Sequence, residues 1–203
     1  IPGGKILTHF TLIAVIKITA VFLFGLVVAT GLIGDSEPTN NLAPTLIWVI
    51  WWVGIAYVSA IFGNIWIIIN PWKIIFLLAE AISQRFSPGT MLCLNLRYPK
   101  RLGAWPGVLI LFSFAWAEVI FPGSGDPANI ARMILVYSVI TWLGMLFFGV
   151  EQWLRHGEIF SLIFGLLARF GPTEFRVANR MVCDSCELIC NETIDECTNC
   201  SDC

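Results

Sequence analysis

Six cysteines lie within the last twenty-one residues of the chain, and their spacing suggests a bound metal. They form a Cys-x2-Cys-x3-Cys cluster that is followed, six residues later, by Cys-x2-Cys-x2-Cys. A Cys-x2-Cys pair presents two thiolates to one tetrahedral ion, and two such pairs complete its four ligands. The best single set is Cys183, Cys186, Cys197 and Cys200, with Cys190 and Cys203 as spare or second-site ligands.

Three kinds of chemistry are open to this cysteine-rich tail. A structural zinc site is the first. An iron–sulfur cluster is the second, because the final Cys-x2-Cys-x2-Cys is similar to a ferredoxin run, although the fourth cysteine and the proline of that run are missing. Disulfide bonds are the third, and they become the first choice if the tail faces an oxidising compartment. The residues between the cysteines are too polar and acidic to form a core, so the thiols must bind a metal or each other.

A second group of polar residues interrupts or ends the apolar segments. Ionisable groups within a bilayer cost at least about 2.5 kcal/mol each at its centre, so they usually face a partner or water. We expect a polar membrane cluster, with weak catalytic candidates beside it, at one depth near the inner surface. Its members are Lys17, Asn64 and Asn70, and the catalytic candidates are Glu151, His156 and Glu158. The alternative is that Lys17 extends to the head groups, Glu151 is interfacial and His156 is structural.

The composition identifies the class of protein. The 203 residues are 57% hydrophobic and 13% charged, against about 25% charged in a soluble domain. The mean hydropathy is +0.79. The net charge of −2 and the scattered basic residues exclude a nucleic-acid-binding face. The expected partner is therefore the lipid bilayer, and the expected fold class is an all-α integral membrane protein.

Four apolar segments are long enough to be transmembrane helices, at 10–33, 46–69, 105–121 and 130–153. The run 46–69 carries no charge and can cross a hydrocarbon core of about 30 Å. Proline lacks the amide hydrogen, so Asn70-Pro71 should end or kink this helix. Two shorter apolar helices follow the second and fourth spans, at 72–86 and 158–170, and are expected to be interfacial or re-entrant.

Matching polar motifs at the ends of the apolar segments suggest an internal repeat. RFSP at Arg85 to Pro88 recurs as RFGP at Arg169 to Pro172. Two copies with two spans each would run the same way through the membrane, as a parallel repeat. Chance similarity between apolar helices is the alternative. The predicted domains are a first membrane repeat (1–88), a cytoplasmic loop (89–104), a second membrane repeat (105–172) and the cysteine-rich metal-binding tail (173–203).

The basic residues predict the orientation. Nine Lys and Arg lie in the segments that follow spans two and four, whereas the turns within each pair of spans hold only Arg132. The positive-inside rule then places both chain ends and the tail in the cytoplasm.

Two segments carry a resemblance to a known family. They are NLAPTLIWVIWWVGIAYVSAIFGNIWIIINPWK (41–73) and GEIFSLIFGLLARFGP (157–172). They resemble a family of bacterial polytopic membrane proteins often labelled fenitrothion hydrolase. The resemblance implies a multi-pass protein of the bacterial inner membrane, with further spans beyond the end of this chain, and a membrane-bound organophosphate hydrolase activity. It supplies no catalytic residues position by position.

Two functions follow as expectations. The first is an accessory, assembly or transport subunit of a larger membrane complex, with other membrane subunits as partners and a cytoplasmic cysteine-rich metal module. The second is a membrane-embedded hydrolase of hydrophobic organophosphate esters that uses Glu151, His156 and Glu158.

Overall fold

A computed structural model describes residues 10–87, 92–171, 177–179 and 196–198. The two long ranges are helical, as the sequence predicts, with connecting turns and loops. Among the described residues, the strands are β1 (Val177–Asn179) and β2 (Glu196–Thr198), which pair antiparallel with Ala178 opposite Cys197. The five tail cysteines other than Cys197 lie outside the described residues.

The helices follow one another with short connections. They are α1 (Phe10–Ile33), α2 (Leu42–Phe62), α3 (Trp66–Ile69), α4 (Pro71–Phe86), α5 (Trp105–Val119), α6 (Pro127–Phe148), α7 (Val150–His156) and α8 (Ile159–Leu167), which continues as a 3-10 turn (Ala168–Phe170). In the described part of the chain, α1, α2 and α6 are long and apolar enough to cross a membrane, whereas α5 is a shorter apolar helix. The bounds predicted for the first span are confirmed.

The turn between α1 and α2 is held by one asparagine. The Asn41 side chain accepts a hydrogen bond from the Ala43 amide at 2.9 Å and caps α2. Its Nδ2 donates to the carbonyl oxygens of Thr30 (2.8 Å) and Asp35 (2.7 Å). One buried side chain thus joins the end of α1 to the start of α2. The next ten residues of α2, Thr45–Gly54, form a π-helix.

Two glycines end the second and third of these long helices. Gly63 follows α2 with a φ of +94°, and Gly149 follows α6 with a φ of +85°. Glycine adopts this left-handed region without a Cβ penalty. The sequence-based ends of the second and fourth spans, at Ile69 and Trp153, are therefore wrong, because each long helix stops at its glycine.

A short helix and a polar cap follow each glycine. After Gly63, α3 leads to Asn70, whose side chain caps α4. After Gly149, α7 ends at Gly157, and the Glu158 side chain caps α8. The predicted helix break at Asn70-Pro71 is confirmed, and the chain also breaks at His156-Gly157, between α7 and α8.

The core is a cluster of mostly aromatic side chains between α2, α4, α6 and α8. Trp72 and Phe160 stack with ring centroids 6.1 Å apart and planes 12° apart. Trp51 meets Phe160 edge-on at 4.3 Å. The buried members are Trp66, Trp72, Phe76, Tyr98, Met145, Trp153, Ile159, Phe160 and Phe164. Because these rings come from several helices, their packing sets the relative positions of the two capping residues, Asn70 and Glu158.

Candidate functional site

The candidate site is the point where the two polar caps meet. Asn70 Oδ1 accepts from the Lys73 amide at 3.1 Å, at the first turn of α4. Glu158 accepts from the amides of Phe160 (3.0 Å) and Ser161 (2.8 Å), at the first turn of α8. Asn70 Nδ2 donates to Glu158 Oε2 at 3.2 Å. Two helix N-termini are therefore linked by their own capping side chains.

The Glu158 carboxylate is fully buried and surrounded by donors. Oε2 accepts from the Trp66 indole at 3.1 Å, in addition to the Asn70 amide and the Ser161 amide. The Ser161 hydroxyl also donates to Oε2, and the Tyr137 hydroxyl makes a short hydrogen bond to Oε1. Hydrogen bonds to a charged acceptor are stronger than neutral ones. This carboxylate therefore holds α3, α4, α6 and α8 together.

Protonation of this carboxyl group would disturb the arrangement. A protonated carboxyl carries its own O–H donor and loses acceptor capacity. The Tyr137 and Ser161 hydroxyls contact the two oxygens and can accept as well as donate, so a protonated Glu158 would donate to one of them and reverse that hydrogen bond. Protonation of Glu158 is thus linked to the direction of its hydrogen bonds with Tyr137 on α6 and Ser161 on α8.

Further hydrogen bonds attach α6 to the start of α4. The Trp72 indole donates to Ser138 Oγ at 2.8 Å. The Trp142 indole donates to the Trp72 carbonyl oxygen at 3.2 Å. Ser138 in turn donates to the Ile134 carbonyl oxygen at 2.7 Å. Movement of α6 would therefore be transmitted directly to the Asn70-Pro71 break.

A cavity of about 750 Å³ lies beside this cluster. Apolar residues of α1, α2, α5 and α6 line most of it, together with Arg132. Its wall also includes Trp66 and Tyr137, two of the four residues whose side chains donate to Glu158. The carboxylate and the apolar cavity therefore share a wall, so a molecule in the cavity would contact groups that hold Glu158.

The structure unites only part of the predicted polar cluster. Asn70 and Glu158 are in contact and buried. Asn64 is half-buried just after Gly63, and Lys17 is half-buried on α1. Tyr137 and Trp66 complete the carboxylate site, and sequence reasoning missed both because each is an aromatic residue in a largely apolar helix.

The three weak catalytic candidates occupy different environments. Glu151 is exposed in the first turn of α7, whereas Glu158 is fully buried. His156 contacts the Gln152 carbonyl oxygen through Nδ1 at 2.9 Å and stacks on Tyr98 with centroids 4.8 Å apart. Among residues 10–87 and 92–171, no group of three His, Cys, Asp or Glu side chains could hold a metal ion. The predicted cysteine site falls almost wholly outside the described residues.

Comparison with known proteins gives no match to a protein-family model, to a curated protein or to a solved structure.

Proposed function

We propose that this chain is an integral membrane transport subunit of a larger membrane complex, and that Glu158 couples transport to protonation. The observation that carries the proposal is the hydrogen bond between the caps of two interrupted helices, Asn70 and Glu158, beside a large cavity. Interrupted helices whose ends meet at a binding site recur in secondary transporters. An ionisable group within a membrane protein is by default a functional candidate.

The proposed cargo is a hydrophobic organic molecule. The cavity of about 750 Å³ is lined predominantly by apolar and aromatic side chains, and apolar lining with a few polar groups is typical of small-molecule sites. Cargo in contact with Trp66 and Tyr137 would alter the donors to Glu158, and protonation of Glu158 would alter the same donors. This reciprocal linkage is what coupled transport requires.

Four spans in two parallel repeats are part of the same proposal. Both halves contain a long helix, a left-handed glycine, a short helix, a polar cap and a further helix. In the proposed repeat, Gly63 corresponds to Gly149, and the break at Asn70-Pro71 corresponds to the break at His156-Gly157. As the remaining span, the fifteen residues of α5 cover about 22 Å at 1.5 Å per residue, which requires local thinning of the bilayer.

The resemblance to the fenitrothion hydrolase family supports hydrolysis as an alternative. That mechanism would need Glu151, His156 and Glu158 to act on one substrate. The exposure of Glu151 and the enclosure of Glu158 by donors give this alternative less support than transport.

Efflux of the neutral dye Nile red tests the transport proposal in cells, where partner subunits are present. Cells that produce the chain should lose the dye faster than cells that lack it, and a protonophore should abolish the difference. Glu158→Gln should remove the gain, because the amide cannot exchange a proton. Tyr137→Phe, which keeps the ring and the carboxylate, should reduce it.

Glu151→Gln is the matched control, since this glutamate is exposed, and it should transport like the parent. Chain abundance in the membrane is measured for every variant. The proposal fails if Glu158→Gln and Tyr137→Phe both extrude dye at the parent rate, or if the parent gives no protonophore-sensitive efflux.

The cytoplasmic metal module is a separate part of the proposal. The strand pair places Asn179 opposite Glu196, the two residues that flank the segment 180–195. Elemental analysis of the purified chain should give about one zinc per chain. The pair Cys183→Ser/Cys186→Ser should lose the zinc, whereas Cys93→Ser, the cysteine outside the tail, should keep it. Iron in place of zinc, together with visible absorption, would indicate an iron–sulfur cluster. Disulfides without any metal would overturn the metal module.

A further inference from the structure

The loop before α5 is fixed to the end of α6. The amides of Leu94 and Leu96 donate to the carbonyl oxygens of Leu146 (2.7 Å) and Phe147 (2.8 Å). These carbonyls belong to the last turn of α6, where helical partners run out. The loop is therefore held at one end of a candidate membrane span.

Tyr98 gives this loop its shape. Its ring is buried between Phe148, at a centroid distance of 5.1 Å, and His156, at 4.8 Å. Its hydroxyl donates to the Gly103 carbonyl oxygen at 2.8 Å. Burial raises the pKa of Tyr98, so the hydroxyl stays protonated and can donate at physiological pH. The hydrogen bond from Tyr98 to Gly103 therefore closes the loop without the help of a ligand.

A basic cavity of about 380 Å³ lies against this loop. Its lining residues are Arg97, Tyr98, Lys100, Gly103, Gln152 and His156. Two of these carry permanent positive charge, and none of the described residues that line the cavity is acidic. The cavity therefore favours an anion.

Exposed apolar side chains surround the same loop. Leu94, Leu96 and Leu102 are 60%, 51% and 42% exposed, and Trp105 at the start of α5 is 64% exposed. Exposed leucines would be unfavourable in water, whereas leucine and tryptophan beside basic residues suit the membrane–water interface. We therefore expect the anion to bind where the acyl chains of membrane lipids can also contact the protein.

We propose that this cavity binds the phosphate of an anionic phospholipid headgroup, with the acyl chains packed on Leu94, Leu96 and Trp105. Basic pockets at the ends of membrane helices are suited to such headgroups. A soluble phosphate would use the cations equally well, but it would not account for the exposed apolar rim. This lipid site is independent of the transport proposal, because it contains neither Asn70 nor Glu158.

Native mass spectrometry of the purified full chain tests the site with phosphatidylglycerol, phosphatidylcholine and inorganic phosphate as probes. Phosphatidylglycerol should bind more tightly than phosphatidylcholine. Arg97→Gln/Lys100→Gln should weaken phosphatidylglycerol binding about thirtyfold, or about fivefold for each cation removed. Both side chains are exposed, so their replacement leaves the core intact.

The control pair Arg85→Gln/Arg169→Gln removes the same net charge from two exposed side chains, and neither residue lines the cavity. It should change phosphatidylglycerol affinity less than twofold, as expected for charges outside the site. Equal weakening by both pairs, or no weakening by either, would overturn the proposal. Displacement of phosphatidylglycerol by equimolar inorganic phosphate would also overturn it, because the acyl chains would then contribute nothing.

Discussion

Glu158→Ala is expected to unfold the helix bundle at denaturant concentrations that leave the parent protein intact. The substitution removes both acceptor oxygens and leaves the donors of Trp66, Asn70 and Tyr137 buried without this acceptor. An unsatisfied buried polar group costs about 1–3 kcal/mol, and removal of one partner from a buried charged network costs about 3–5 kcal/mol. We expect a loss at the upper end of that range, measured by tryptophan fluorescence during denaturant titration.

Glu151→Ala is the control for this measurement. Its side chain is exposed, so the free energy of unfolding should change by less than about 0.5 kcal/mol. Glu158→Gln should lie between the two, because it keeps one acceptor oxygen but directs an NH2 group at existing donors. A Glu158→Ala variant as stable as Glu151→Ala would show that the carboxylate does not hold the helices together.

The second large effect is expected for Gly144→Ala, near the C-terminal end of α6. A Cβ at this position would lie 2.2 Å from atoms of the Trp153 ring. Trp153 is itself buried, and a Cβ at Gly157 would meet the same ring at 2.7 Å. The ring therefore cannot move aside easily, and overpacking of this kind costs about 1–3 kcal/mol. Thermal unfolding of the purified protein should report the loss as a lower midpoint.

Gly25→Ala offers a matched comparison in α1, because nothing lies within 4 Å of the added Cβ. Alanine is a better helix former than glycine by about 0.5–1 kcal/mol. Gly25→Ala should therefore be neutral or slightly stabilising. If the two variants unfold at the same midpoint, α7 does not pack against Gly144 as described.

Hydropathy and proline predicted much of the helical architecture. The first span was found at its observed bounds because an apolar run with a single charged residue, Lys17, lies between His9 and Asp35. Asn70-Pro71 was found because proline lacks the amide hydrogen and restricts the preceding residue. Gly63 and Gly149 were missed because each lies within an apolar run, and hydropathy carries no information about φ.

The candidate site was only half predictable for a related reason. Asn70 and Glu158 stand out in the sequence because each is polar and close to a helix break. Their contact depends on how α4 and α8 pack, and the donors Trp66 and Tyr137 come from two other helices. A tryptophan or tyrosine in an apolar run is indistinguishable from an ordinary core residue until its partner is known.

The π-helix Thr45–Gly54 has a consequence for the length of α2. An i→i+5 hydrogen-bond pattern fits more residues into each turn than the α-helix and advances less per residue. The ordinary pattern resumes at Ile55, whose amide contacts the carbonyl oxygens of Trp51 and Trp52. These ten residues are therefore shorter along the helix axis than ten residues of α-helix would be. A change from i→i+5 to i→i+4 bonding would lengthen and rotate this part of the helix, and would shift the Trp51 and Trp52 rings relative to Phe160.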